Sequence, residues 1–129
     1  GGDMRILVCG GRDYRDYQAV ALAIESVRLP AAKRVAENCP PPPHTVIIHG
    51  GARGADEMAA LWARSNKCAW VKFDADWKQY GKAAGPIRNQ KMIDEGKPDV
   101  VIAAPGGTGT ADMVRRARAA KIKVIEIEE

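Results

Sequence analysis

Hydrophobic positions along this chain fall into two alternating patterns. Short apolar, β-branched runs stand at Arg5–Cys9, Thr45–His49, Ala69–Phe73, Val100–Ala104 and Lys123–Ile127. Each has the length and residue types of a strand rather than a helix. Between them the apolar spacing changes. Ala55, Met58, Ala59 and Trp62 follow i, i+3, i+4, i+7, which is one face of a helix, and Met113, Ala117 and Ala120 make a similar face near the end. Ala19–Val27 is alanine-rich with few breakers. Gly85-Pro86 opens a further helix over Ile87–Ile93, with Ile87, Met92 and Ile93 as its candidates for burial. Pro30 is expected to interrupt or end the first helix. The Pro40–Pro43 run reads as a stiff surface connector into the second strand. Strands alternating with helices predict βαβ units and a parallel sheet covered on both faces. The expected fold is a doubly wound α/β domain of five strands and four helices over residues 4–129. Gly1–Asp3, ahead of Met4, have the look of a cloning scar.

Composition narrows the class further. The length of 129 residues fits one domain. The 46% hydrophobic and 28% charged residues argue against disorder, collagen-like repeats and a coiled coil. No apolar run approaches the roughly 20 residues of a membrane span, and no targeting segment is visible, so a cytoplasmic protein without membrane contact is expected. The three cysteines, Cys9, Cys39 and Cys68, are widely spaced and lack a C-x-x-C pair, which argues against a disulfide framework or a zinc site. Cys9 and Cys68 read as small core residues. The net charge of +4 suits an anionic ligand but lacks the dense clusters of nucleic-acid binders. Arg115, Arg116, Arg118, Lys121 and Lys123 read as a solvated face that also suits the negative end of the last helix.

Ligands of open parallel sheets bind beyond the carboxyl ends of the strands, so the residues following each strand carry the functional signal. Gly10-Gly11-Arg12-Asp13-Tyr14 follows the first. Paired glycines bring backbone amides close to a ligand, and an arginine adds a donor fork for phosphate or carboxylate. Gly50-Gly51-Ala52-Arg53-Gly54-Ala55-Asp56 follows the second strand and runs into a helix N-terminus, which favours anions. Asp56 is expected to cap that helix, and His49 to be a hydrogen-bonded structural residue. After the third strand, residues 74–86 read as a long polar loop, a length often tied to function. In it Trp77 or Tyr80 could stack on a base, or Trp77 could cover the core. Arg88 and Asn89 lie in the first turn of the next helix and face the strand ends. Pro105-Gly106-Gly107-Thr108-Gly109-Thr110-Ala111-Asp112 follows the fourth strand. Amides and hydroxyls there form a phosphate cradle at a helix N-terminus, but no Gly-Lys-Ser/Thr follows and the loop is not a Walker motif. Three such loops, two with arginine, point to a phosphate-bearing small molecule, a nucleotide first of all.

Together these motifs resemble the SLOG superfamily, which groups the DNA-processing protein Smf/DprA, the Lonely Guy phosphoribohydrolases and small YspA-like proteins. The YspA-like group fits best, on Cys9–Tyr14, His49–Asp56, Gly85–Asn89 and Pro105–Met113. The resemblance implies a Rossmann-like sheet in the order 3-2-1-4-5 with a nucleotide pocket between the first and fourth strands. Lonely Guy enzymes hydrolyse nucleoside 5′-monophosphates to base and ribose 5-phosphate, with the signature P-G-G-x-G-T-x-x-E and an upstream arginine. Arg88 stands at that arginine and Pro105–Thr110 match the phosphate loop. Met113, however, occupies the place of the glutamate. Asp112 is the nearest carboxylate, and Asp13, Asp56, Asp74 or Asp76 are substitutes from other loops.

The resemblance therefore leaves an enzyme and a binding module open. In the enzyme, a nucleotide N-glycosidase, Arg88 and Asp112 are the catalytic candidates. Gly10, Gly11, Arg12, Asp13, Gly50, Gly51, Arg53, Gly54, Asp56, Asn89, Gly106, Gly107, Thr108, Gly109 and Thr110 are the ligand-binding ones. In the alternative, the same pocket senses a nucleotide, ADP-ribose or an NAD derivative without turnover. DprA-like single-strand DNA binding is disfavoured by the modest charge and few aromatics. A homodimer is expected, as Lonely Guy proteins are usually dimers and Ala19–Ala23 and Ala117–Ala120 permit close packing. No cofactor is implied. No metal is implied either, since His44 and His49 are set apart and no carboxylates have ligand spacing.

Overall fold

A computed structural model describes residues 4–36 and 44–128. The strands are β1 (Met4–Cys9), β2 (Thr45–His49), β3 (Ala69–Lys72), β4 (Val100–Ala103) and β5 (Lys123–Glu126). The helices are α1 (Tyr17–Ala36), α2 (Ala55–Ser65), α3 (Trp77–Tyr80), α4 (Ala84–Asp94) and α5 (Thr108–Ala119). The strands form one sheet in the order β3-β2-β1-β4-β5, and every neighbouring pair is parallel.

Alternation along the strands sorts the core into two layers. Ile6, Val8, Ile47, Val100 and Ile102 point to one face and pack with Val20 and Ile24 of α1 and Met58, Ala59 and Trp62 of α2. Leu7, Cys9, Ile48, Val101 and Ala103 point to the other and pack with Met92 and Ile93 of α4 and Met113, Val114 and Ala117 of α5. β1, β2 and β4 are covered on both faces, which is why their sequences read as continuous apolar runs. β3 and β5 are the edges and are more exposed. Cys68, expected in the core, is half-buried just before β3 and packs against the first layer.

Several details depart from the sequence reading. Helix α4 already begins at Ala84, so Arg88 and Asn89 stand in its second turn rather than its first. Helix α1 passes through Pro30 and continues to Ala36. The proline φ of about −65° is already helical, so a single proline removes one backbone hydrogen bond without forbidding the helix. The stretch after β3 is not an open loop: α3 and a 3-10 turn at Gly81–Ala83 fill it, and Asp76 starts α3 by accepting the Gln79 amide at 3.1 Å. Ile87 is 42% exposed, and the inward face of α4 uses Ala84, Asn89, Met92 and Ile93 instead. The Pro40–Pro43 connector, Cys39 and Gly1–Asp3 lie outside the described residues.

The chain runs outward from β1 to β3 and then returns to place β4 on the other side of β1. That reversal opens a crevice beyond the carboxyl ends of β1 and β4. The two loops there are bonded to each other. The Ala104 amide donates to the Cys9 carbonyl at 2.9 Å, and the Gly11 amide to the Pro105 carbonyl at 2.9 Å. No helix among the described residues is long and apolar enough to cross a membrane.

Candidate functional site

The crevice holds a cavity of about 660 Å³ lined from four directions. The loop after β1 contributes Cys9, Gly10, Gly11 and Arg12. The turn after β2 contributes Ala52 and Asp56. Trp77, Lys82 and the start of α4, including Arg88 and Asn89, form the third wall. Gly107–Asp112 and Arg115, at the start of α5, form the fourth.

Helix α5 begins at Gly107 with no side-chain cap. Its first amides have no acceptor within the helix, and Thr108, Gly109 and Thr110 line the cavity. Asn89 fixes this turn from α4, donating from Nδ2 to the Gly109 carbonyl at 3.2 Å and to Asp112 Oδ2 at 3.0 Å. Asp112 also accepts from Arg115 at 2.6 Å and Arg116 at 2.8 Å. Burial alone would raise the Asp112 pKa, but the hydrogen bonds from Arg116 and Asn89 and the two arginine charges outweigh it and hold the carboxyl below its ordinary value. Met113, the next residue, is fully buried in the core. A helix turns 100° per residue, and here that step separates the cavity wall from the protein interior.

Asp56 is the second carboxyl of the cavity and its environment is different. It does not cap α2, which starts at Gly54 without a side-chain cap. Side chains of a first turn lean toward the helix N-terminus, so Asp56 Oδ2 reaches back to the turn and accepts the amides of Gly50 at 2.9 Å and Ala52 at 3.3 Å. Burial pushes this carboxyl up to about 6, against the opposing effect of those two amides and of Arg88. Arg88 is itself anchored, its Nη1 donating to the carbonyls of Gly50 at 2.7 Å and Phe73 at 3.4 Å. The Cys9 thiol nearby is pushed up to about 12, by burial first and by the Asp56 charge second, with Arg88 opposing. It therefore stays a thiol at neutral pH and supplies no thiolate nucleophile.

The residues expected to bind ligand divide into two groups. Gly10, Gly11, Arg12, Asp56, Arg88, Asn89, Gly107, Thr108, Gly109, Thr110 and Asp112 all line the one cavity. Asp13, Gly50, Gly51, Arg53, Gly54 and Gly106 do not. Gly54 and Gly106 instead let the loops touch. Gly54 has φ of +81°, and a Cβ there would collide with the Gly11 carbonyl. A Cβ at Gly106 would lie 2.6 Å from the Gly11 nitrogen. Gly51 and Arg53 face a different depression beside β3. His49, beneath that depression, accepts the Gly51 amide on Nδ1 at 3.0 Å. Trp77, 50% exposed, lines the main cavity, and Tyr80 does not. Lys82 and Arg115 were missed in the sequence. For Arg115 the signal was present, because three residues from Asp112 is the same helix face. For Lys82 there was none. Among the described residues no three His, Cys, Asp or Glu side chains converge as a metal set.

A parallel sheet in this order, with glycine-rich loops meeting at its switch point, defines a Rossmann-like α/β domain. The chain belongs to the YspA, cpYpsA-related SLOG family (YAcAr), whose model matches residues 4–80. It is 37% identical over 130 residues to the Gene 61 protein of Mycobacterium phage D29, covering 94% of each chain. Among solved structures it is similar to TM1055, a structural-genomics target, with a TM-score of 0.58 and 18% identity over 93% of this chain and 71% of that one. It is also similar to a UDP-N-acetylglucosamine 2-epimerase, with a TM-score of 0.51 and 14% identity over 96% of this chain and 33% of the epimerase. At these identities the two structures speak to the fold alone.

Proposed function

We propose that the cavity between β1 and β4 binds a nucleotide or nucleotide-derived phosphate, with its phosphate against the first turn of α5. The supporting observation is the convergence of an uncapped helix N-terminus with four cationic side chains, Arg12, Lys82, Arg88 and Arg115, on one cavity. Free amides and the positive end of the helix dipole favour an anion. The cationic side chains outnumber Asp56 and Asp112 there. The volume of 660 Å³ falls within the roughly 300–1,000 Å³ of small-molecule sites. The exposed ring of Trp77 offers a face for a base.

A second reading adds hydrolysis of the N-glycosidic bond, and Asp56 favours it. A carboxyl that titrates near 6 is populated in both protonation states close to neutral pH, as a general acid or base requires. In this reading a water oxygen bonds to C1′ of the ribose while the C1′–N bond breaks. Asp56 delivers its proton to the departing base and recovers one from the attacking water. Arg88 holds the phosphate end. Asp112, whose oxygens are taken by Asn89, Arg115 and Arg116, positions α4 against α5 rather than moving a proton.

The test is calorimetric binding of a panel of nucleoside monophosphates, NAD and ADP-ribose, followed by chromatography for released base. The expected result is saturable binding that weakens in Arg12→Gln. Absence of binding by every member would overturn the proposal. Base release that disappears in Asp56→Asn while binding persists would establish hydrolysis, and binding without release would leave a sensor. Light scattering tests the proposed homodimer alongside.

A further inference from the structure

A second depression, of about 270 Å³, lies behind the turn after β2, between the edge strand β3 and α2. Ala52 is the one residue it shares with the main cavity, so the turn is the wall between them. Arg53, Arg64 and Lys72 line it, with Glu57 as the only acid among the lining residues. Neither Arg53 nor Arg64 has an ion-pair partner among the described residues. Lys72 pairs with Asp74 at 3.4 Å, both side chains largely exposed, a contact weak enough for a ligand to compete with.

The independent observation is His49 in the wall of this depression. It is 4% exposed, and its Nε2 is buried with no hydrogen-bond partner. Because Nδ1 accepts the Gly51 amide, the neutral ring carries its proton on Nε2. A buried donor without an acceptor is destabilising and uncommon in folded proteins. Nε2 is closed to solvent in this structure, so an acceptor entering the depression reaches it only by displacing the side chains that cover it.

We infer that this depression is a second anion site, separate from the main cavity, that takes the phosphate of a small organic phosphate monoester on Arg53, Arg64 and Lys72, with His49 Nε2–H donating to a phosphate oxygen. The volume suits a phosphate with a small organic group rather than a dinucleotide. Trp70, 48% exposed on β3, stands at the edge and offers its ring to that organic group. Burial, with Lys72 second and Asp74 opposing, lowers the His49 pKa, which keeps the ring neutral and Nε2 a donor whose partner must be an acceptor. The inference does not depend on the main cavity binding a nucleotide.

The test is side-chain NMR of the His49 imidazole during titration with inorganic phosphate and with phenyl phosphate, His44 serving as the internal control. The expected result is a saturable shift of His49 alone, with phenyl phosphate binding severalfold tighter than inorganic phosphate. Both responses should weaken at least tenfold in Arg53→Gln/Arg64→Gln, whose side chains are exposed and leave the core untouched. The preference for phenyl phosphate should vanish in Trp70→Ala. In Arg12→Gln, which alters only the main cavity, the response should persist. No saturable shift, a shift unchanged by the double substitution, or its loss in Arg12→Gln would overturn the site. Equal binding of the two probes would overturn the organic-monoester half.

Discussion

Asn89 and Asp112 meet in a buried hydrogen bond of 3.0 Å that joins α4 to α5. The same Asn89 amide group reaches the Gly109 carbonyl, so one side chain sets the helix N-terminus that faces the main cavity. Removing it leaves the Asp112 carboxylate short of a donor in a site that is 8% exposed.

Asn89→Ala should therefore lower stability by about 2 kcal/mol, the usual size of a lost hydrogen bond to a charged group. Urea denaturation checks the number. Because the α5 turn also loses its tether, phosphate affinity in the main cavity should fall in the same variant. A variant as stable as the parent would show that Arg115 and Arg116 alone hold Asp112.

Asp56 predicts a pH dependence with a definite sign. Its folded pKa of about 6 lies above the ordinary value of 3.8. Folding therefore favours the protonated form, and the stability linked to it is complete below about pH 4 and lost as pH rises through 6. The rise from 3.8 to about 6 corresponds to roughly 3 kcal/mol. Stability of the parent relative to Asp56→Asn should decline by that order between pH 4 and pH 7. A difference that stays flat across this range would show that the carboxyl is ionised throughout.

Much of the fold was legible because the sheet is built from short apolar runs, mostly β-branched, whose length suits strands rather than helices. Each expected strand lies within one residue of the observed one at either end. Side-chain direction was less legible. The three glycine loops look alike on paper, yet Gly107 and Gly109 line a cavity while Gly54 and Gly106 let the loops pack. Arg12 and Arg53 follow Gly-Gly pairs in two similar loops, one residue apart in register, but face different depressions. Which way each points is set by how the β1 and β2 loops touch, a long-range relation that spacing does not encode. The Asp112–Met113 pair is the same lesson at the scale of one residue.

Gly54 is where that loop contact is least tolerant of change. Its φ of +81° is a region that side chains with a Cβ avoid, and the added methyl would strike the Gly11 carbonyl and the Arg12 backbone. Gly54→Ala should destabilise by at least about 2 kcal/mol through strain and collision together. Thermal denaturation measures it. An unchanged midpoint would mean that the β1 and β2 loops separate easily, and the cavity they share would not be preformed.

The two arginines give the sharpest comparison. Arg12 lines the main cavity and Arg53 does not, although the sequence offers them as counterparts. A charged hydrogen bond to phosphate contributes about 1.5–3 kcal/mol, and each 1.4 kcal/mol is a factor of ten in affinity. Arg12→Gln should weaken nucleoside monophosphate binding about 10- to 100-fold. Arg53→Gln should leave it within about twofold, because its side chain is on the far side of the Gly50–Gly54 turn. Calorimetry on both variants decides the matter. Equal losses would mean that the ligand spans the turn or that the turn rearranges on binding, and the two depressions would then have to be treated as one site.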